Sequence, residues 1–341
     1  MTAAFRLSTA PSLAEARAFM EACLDPGADP GAVGQALLDC NRRPLDATLL
    51  TAFAQVLRTH ARPFSTAGPV LDTCGTGGDA RSGVHTANLS TLSALALAQI
   101  GVDVVKHGSR AASSRCGSAD LLEALGLDLE RGEEQLALDL ARGHFAFLFA
   151  PRFHPVLARM APIRRALGVP TVFNMLGPLL NPARPDYQVL GVAKAEWLEP
   201  VAAALAAGGI GAALVVHGLT AAGAGMDEAS LDGPTLVLPV REGRVLAPVR
   251  LLPEHLGLAA GLAPQAAASK AECVALARGL AGGAGDPGFS PRVAEEVALQ
   301  AGLALVLRRG LPFSALPAAL AEVRAVLRTG LHLPTLLALA A

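Results

Sequence analysis

Apolar and polar positions along the chain follow two rhythms, which change over near residue 69. Before about residue 60, apolar side chains recur every three or four positions, the period of a helix with one buried face. Ser12 and Glu15 form a capping box, and Leu13, Arg17, Met20 and Leu24 then keep helical spacing along a mostly apolar face. Asp29-Pro30 opens a second helix, because proline is tolerated in a first turn. Leu45, Leu49, Leu50, Phe53, Val56 and Leu57 mark a third, which ends before Pro63.

Beyond residue 69, short apolar runs alternate with longer helical ones. PVLDTC (69–74), VDVVKHG (102–108), HFAFLFAP (144–151), YQVLGVA (187–193) and AALVVHG (212–218) read as buried strands. The segments 88–101, 118–126, 133–141, 154–168 and 196–209 between them read as helices. Such alternation predicts a mainly parallel sheet with helical crossovers. PTLVLPV and GRVLAPVRLL predict a hairpin about Glu242-Gly243, followed by a helical tail. The expected fold is α/β: a small all-helical domain (1–67), then a large α/β domain (68–341) with a mainly parallel central sheet flanked by helices.

Composition narrows the function. With 52% apolar and 17% charged residues the chain is not disordered. A net charge of −1, one Trp and one Tyr give no basic field and no aromatic platform, so no nucleic-acid partner is expected. Five scattered cysteines without a CxxC pair argue against zinc and against a disulfide framework. No signal-type segment and no spanning run is read, so a cytoplasmic protein without a membrane partner is expected.

The chemistry concentrates after the first strand. Gly75, Gly77 and Gly78 let backbone N–H groups approach an anion, and the following helix adds the partial positive charge of its N-terminus. Such a turn also occurs without a ligand, so the rest of the chain has to decide. GxxxxGK[ST] is absent, which removes a P-loop nucleotidase. GTGGDA fits the looser dinucleotide fingerprint, but the second strand ends in Lys106-His107-Gly108-Ser109-Arg110 instead of the required acid. That cationic end suits phosphate. SRAASSRCGSAD (109–120) then supplies Arg110, Arg115, Ser109, Ser113, Ser114, Ser118 and Gly117 around a second phosphate. Two phosphate loops imply a ligand phosphorylated at both ends. Asp227-Glu228 in GMDEAS are adjacent carboxylates of the kind that hold Mg²⁺ beside a polyphosphate. Taken alone, an exposed acidic pair is more often just solvated.

These strings together resemble the anthranilate phosphoribosyltransferase family, whose fold is shared with pyrimidine nucleoside phosphorylases. The resemblance rests on GTGGD (75–79), TANLST (86–91), KHGSRAASSRCGSADLLEALG (106–126), FHPVLARMAPIRRALGVPTVFNMLGPLLNP (153–182) and VVHG…GMDEAS (215–230), in family order. It implies transfer of the phosphoribosyl group from 5-phosphoribosyl 1-diphosphate (PRPP) to the amine of anthranilate, in tryptophan biosynthesis. By the resemblance, Gly75, Gly78, Asp79, Thr86, Asn88, Ser90 and Thr91 hold diphosphate and ribose. Lys106, Gly108, Ser109, Arg110, Ser113, Ser114 and Ser118 hold the remaining phosphate and ribose groups. Ser90, Asp227 and Glu228 are the implied Mg²⁺ ligands. Gly75, His107, Ser109, His154 and Arg164 are the implied anthranilate contacts, with Arg164 facing the carboxylate. The resemblance also implies a homodimer through the helical domain, which a returning segment near 154–185 joins in space. No general base is assigned.

The pattern departs from the family in three places. Ser109 stands where KHGNR is common, which opens the alternative of a different aromatic acceptor. ARSGVH (80–85) and LTAAGAG (219–225) are longer than usual, the latter implying a more mobile metal-bearing loop. A nucleoside phosphorylase and a nucleic-acid-binding paralogue of this fold are the other readings. The retained Asp227-Glu228 disfavours both, PIRRALG the phosphorylase, and the net charge of −1 the paralogue.

Overall fold

Caps and apolar spacing set the opening helices of the computed structural model, which describes residues 5–77, 87–111, 115–258 and 261–333. Helices α1 (Leu13–Leu24), α2 (Pro30–Asn41) and α3 (Ala47–Thr59) each start on a capping side chain. Ser12 accepts from the Glu15 amide at 3.2 Å, Asp29 from Ala32 at 2.7 Å and Asp46 from Thr48 at 2.6 Å. The expected capping box is only half made. The Glu15 carboxylate turns away to the Ser8 amide and hydroxyl.

The α/β part runs β1 (Leu71–Gly75), α4 (Leu89–Gln99), β2 (Val104–Gly108), α5 (Ser118–Ala124), α6 (Glu133–Gly143), β3 (Phe145–Phe149) and the one-turn α7 (Ala150–Phe153). Next come α8 (Leu157–Leu167), the one-turn α9 (Phe173–Leu176), β4 (Tyr187–Gly191), α10 (Leu198–Ala207) and β5 (Ala212–Leu219). The chain continues through β6 (Gly225–Met226), β7 (Thr235–Arg241), β8 (Arg244–Val245) and β9 (Val249–Leu251), and closes on α11 (Lys270–Gly282), α12 (Pro291–Arg308) and α13 (Leu316–Thr329). The sheet order is β3-β2-β1-β4-β5-β7-β8, with β6 on β5 and β9 on β7. The first five strands are parallel and the later ones antiparallel. Glu242 and Gly243 both take positive φ (50° and 72°), the primed turn that a tight hairpin needs.

Side chains alternate between two buried faces, which is why the parallel strands read as unbroken apolar runs. On β5, Leu214 and Val216 face a core shared with α4, α5 and α11–α13. Ala213 and Val215 face a second core shared with α1–α3, α8, α9 and α10. The N-terminal helices and the returning segment thus form one layer against the sheet, with Phe19 and Phe53 stacked at 5.7 Å inside it. No helix of the described residues is long and apolar enough to cross a membrane.

The segment 219–225 is no slack loop. It folds back as the β5–β6 hairpin, with the Thr220 amide on the Ala224 carbonyl (2.9 Å), the Ala224 amide on the Thr220 hydroxyl (2.9 Å) and the Ala221 amide on Asp232 (2.8 Å). The lengthened 80–85 connection lies outside the described residues.

Candidate active site

The chain runs β1, β2, β3 outward to one edge and then returns to β4 on the other side of β1. That reversal makes the carboxyl ends of β1 and β4 the topological switch point, where open α/β sheets bind ligands. Gly75 and Gly191 are register partners there. A Cβ on Gly75 would stand 2.2 Å from the Asp227 carboxylate, and one on Gly191 1.5 Å from the Asp227 carbonyl. Gly75 and Gly191, with Gly218 against the Glu228 carbonyl, let the strip carrying Asp227 and Glu228 cross the strand ends. Asp227 then accepts from the Gly77 amide at 2.7 Å, so carboxylate and glycine turn meet.

A cavity of about 330 Å³ opens over these ends, lined among others by Gly75, Asn88, Ser90, Lys106, His107, Gly108, Ser109, Arg110, Ser118, Asp227 and Glu228. The sequence-predicted residues from β1, α4, β2, α5 and the β6–β7 connection therefore converge. Lys106 is only 2% exposed; it donates to the Thr73 carbonyl and, at 3.2 Å, to the Ser90 hydroxyl. Burial lowers its pKa, and the Asp72 carboxylate opposes that shift. Asn88 starts α4 in the left-handed region (φ 55°) and donates to the Cys116 carbonyl at 3.0 Å, tying the first turn of α4 to the serine- and arginine-containing loop.

Several predicted residues sit elsewhere than at the cavity wall. Thr91 is fully buried behind the first turn of α4. His154 is 1% exposed, bonds the Leu180 carbonyl (2.9 Å) and stacks edge-on behind His107 at 5.1 Å. It reaches the cavity only through that ring. Burial, with His154 adding to it, pushes the His107 pKa down to about 3, so the ring is neutral near pH 7. Arg110 and Arg115 do line the cavity but are tied to the protein, Arg110 forking onto Glu123 with bonds of 2.6 and 2.7 Å and Arg115 donating to the Ala268 carbonyl. Arg164 bonds Asn174 at 3.3 Å and lies over the Phe173 ring. Asn174 lines the cavity, and the Arg164 guanidinium stands one hydrogen bond behind it. Gly78, Asp79, Thr86, Ser113 and Ser114 lie outside the described residues.

Sequence reasoning assigned no role to Asn174 or to Asp120. Asp120 accepts from the Gly117 amide (3.0 Å), the Ala111 amide (2.8 Å) and Arg110 (3.5 Å), so one carboxylate holds both flanks of the loop. An acid at the third position of a helix carries only a capping signal, and its second partner is invisible locally.

A divalent cation can be tested against the donors present. Ser90, Asp227 and Glu228 surround a small void with Thr73 and Gln300, and both carboxylates are only 8% exposed. These are hard oxygen donors, as Mg²⁺ requires. Cys74 also borders the void, but burial raises its thiol pKa and keeps it protonated. Among the described residues no three His, Cys, Asp or Glu side chains gather around one point. Two carboxylates and a hydroxyl leave the remaining positions to water and substrate oxygens, the usual Mg²⁺ arrangement. The site fits.

Comparison with known proteins decides the family. Residues 67–333 match the model of the glycosyl transferase family, a/b domain. The anthranilate phosphoribosyltransferase of Chloroflexus aurantiacus is 44% identical over 245 residues, 72% of this chain and 70% of the relative. The chain belongs to the anthranilate phosphoribosyltransferase family. It is a glycosyltransferase with that family's activity in tryptophan biosynthesis. The solved anthranilate phosphoribosyltransferase of Thermus thermophilus superposes with a TM-score of 0.83 at 38% identity, covering 98% of this chain and 97% of that one. The Saccharomyces cerevisiae anthranilate phosphoribosyltransferase, solved in complex with PRPP and Mg, gives 0.79 at 25% identity, covering 97% and 92%.

Proposed function

We propose that this cavity binds PRPP with Mg²⁺ and delivers its C1 carbon to the amine of anthranilate. The observation that carries the reading is the convergence of Ser90, Lys106, Asp227 and Glu228 on the strand ends of one cavity. The diphosphate is assigned to the glycine turn and the first turn of α4, and the 5-phosphate to the loop between Gly108 and Ser118. Asn174 and Arg164 are assigned to the anthranilate carboxylate, with His107 and, behind it, His154 shaping the acceptor side. Mg²⁺, when bound by Ser90, Asp227 and Glu228, supplies positive charge against the leaving diphosphate.

The transferred bond is C1–O. As it breaks, negative charge grows on the diphosphate, and the N-terminal N–H groups of α4 and the buried Lys106 ammonium beside Ser90 are the groups assigned to offset it. The arylamine attacks from the opposite face and then sheds a proton that its new positive charge has made strongly acidic. No protein base is needed, and the lowered pKa of His107 leaves its ring a weak base. Positioning of the amine supplies the remaining rate.

The chain is further read as a helical unit (1–67, joined by 154–185) and an α/β unit (68–341), forming a cytoplasmic homodimer through the helical layer. Five free thiols support the compartment. Sedimentation at twice the 34.7 kDa chain mass supports the dimer, and monomer mass overturns it.

The decisive experiment follows anthranilate fluorescence with PRPP and Mg²⁺, in wild type and Arg164→Ala. We expect signal loss in wild type, abolished by chelator. In the variant, losing a charge-assisted bond raises the anthranilate KM by about 10–100-fold while the PRPP KM holds. Equal KM shifts for both substrates would remove Arg164 from the acceptor side.

Asp120→Asn is expected to act on the donor instead. It weakens the hold on the Ala111 and Gly117 amides, each worth about 1 kcal/mol. The PRPP KM should rise about tenfold with little change in the anthranilate KM, and Asp120→Glu should restore part of it. An unchanged PRPP KM sinks the role.

A further inference from the structure

Two of the five free cysteines meet at the substrate cavity. Cys116 lies in the loop just before α5, and Cys273 lies in the first turns of α11, which packs against α5. Both line the cavity and both are nearly closed off, at 6% and 2% exposure. The two thiols lie close enough to influence each other, the Cys116 thiol donates to the Gly117 carbonyl at 3.7 Å, and the Asn88 amide donates to the Cys116 carbonyl at 3.0 Å. The pair therefore sits under the residue that starts α4 and joins the two candidate phosphate regions.

We propose that Cys116 and Cys273 are a redox modification site, forming a reversible disulfide when a small peroxide enters the cavity and thereby blocking PRPP binding. The Cys273 thiolate attacks one peroxide oxygen. The O–O bond breaks, hydroxide leaves and is protonated to water, and Cys273 becomes a sulfenic acid. The Cys116 sulfur then attacks the Cys273 sulfur, the S–O bond breaks, and a second water leaves with the Cys116 proton. Two thiols are oxidised by two electrons and one peroxide is reduced to two waters. An external dithiol reverses the bond by exchange.

The other thiols are poor competitors. Burial pushes Cys23 up to about 12, Cys40 up to about 11 and Cys74 well above the ordinary thiol value. Cys273 moves the other way, lowered first by its contact with Cys116, which in turn is raised and keeps its proton until it attacks. An S–S bond is about 2.05 Å long, well inside any thiol–thiol hydrogen bond. Closing it draws the turn at Cys116 toward α11 and pulls the Cys116 carbonyl away from the Asn88 amide. Donor binding is lost through that displacement.

The test treats the full-length protein with hydrogen peroxide and reads intact mass, a non-reducing peptide map and the PRPP KM. We expect a loss of about 2 Da, a Cys116–Cys273 cross-linked peptide, and a rise of at least about tenfold in KM that dithiothreitol reverses. Saturating PRPP should slow the mass change. In Cys273→Ala, the KM should be the same before and after peroxide. Two thiols intact after treatment overturn the site, whatever the activity. A disulfide that leaves the KM unchanged, or a KM rise that survives in Cys273→Ala, overturns the block.

Discussion

Asp227→Ala is expected to lower kcat/KM by about 10²–10³-fold, the usual cost of removing one group aimed at developing charge. The side chain has two functions in the geometry. Its Oδ2 holds the Gly77 amide at 2.7 Å, which fixes the glycine turn, and its charge faces the same cavity as Glu228. Asp227→Asn separates the two, because the amide oxygen keeps the Gly77 bond while the charge is gone. If the charge matters through the cation, Asp227→Asn needs more Mg²⁺ for half-maximal rate, while its urea midpoint stays near wild type. Calorimetric titration of Mg²⁺ with PRPP gives a readout independent of turnover. Retention of more than about a tenth of wild-type kcat/KM in Asp227→Ala, against the expected 10²–10³-fold loss, would sink the metal assignment.

The position of Asp227 also shows what the chain discloses and what it withholds. The strand ends and the glycine turn are legible, since a short apolar run followed by glycines and a helix start is a local pattern. Lys106 follows from the same logic one strand later. The fit of Asp227 against Gly75 is not legible. It depends on the Gly75–Gly191 register of β1 with β4, more than a hundred residues apart, and on two missing Cβ atoms at once. Arg110 lines the cavity as expected, but its partner is hidden in the sequence. In sequence it is a loose cation in a serine-rich loop, but folding brings Glu123, a turn into α5, within 2.6 Å. His154 reads as an acceptor-channel residue by resemblance, while packing puts it behind His107. In the segment 219–225, chain length suggested slack, yet the Thr220 and Asp232 side chains close it into a hairpin. Local pattern points to the candidate loop; only register and packing show which of its side chains are already tied to protein partners.

Lys106→Met should destabilise the fold as well as stop the reaction, by about 3 kcal/mol, the lower end for removing one partner of a buried charge pair. Asp72 is 1% exposed in the middle of the sheet, and its Oδ2 accepts from Asn181 at 2.9 Å and Gln188 at 3.4 Å. Burial raises the Asp72 pKa, with the Lys106 ammonium the largest opposing influence. Methionine has the length of lysine but no charge, so it leaves Asp72 uncompensated and the Thr73 carbonyl without its donor. Adding Asp72→Asn removes the stranded charge, and the double variant should regain most of the stability, a coupling measurable by urea denaturation of all four proteins. Activity should not return with it, because the Ser90 hydroxyl still lacks the ammonium 3.2 Å away. That divergence separates the two tasks of one lysine. If Lys106→Met unfolds within about 1 kcal/mol of wild type, Asp72 is compensated by Asn181 and Gln188 alone, and the buried pair is not what holds the strand ends in place.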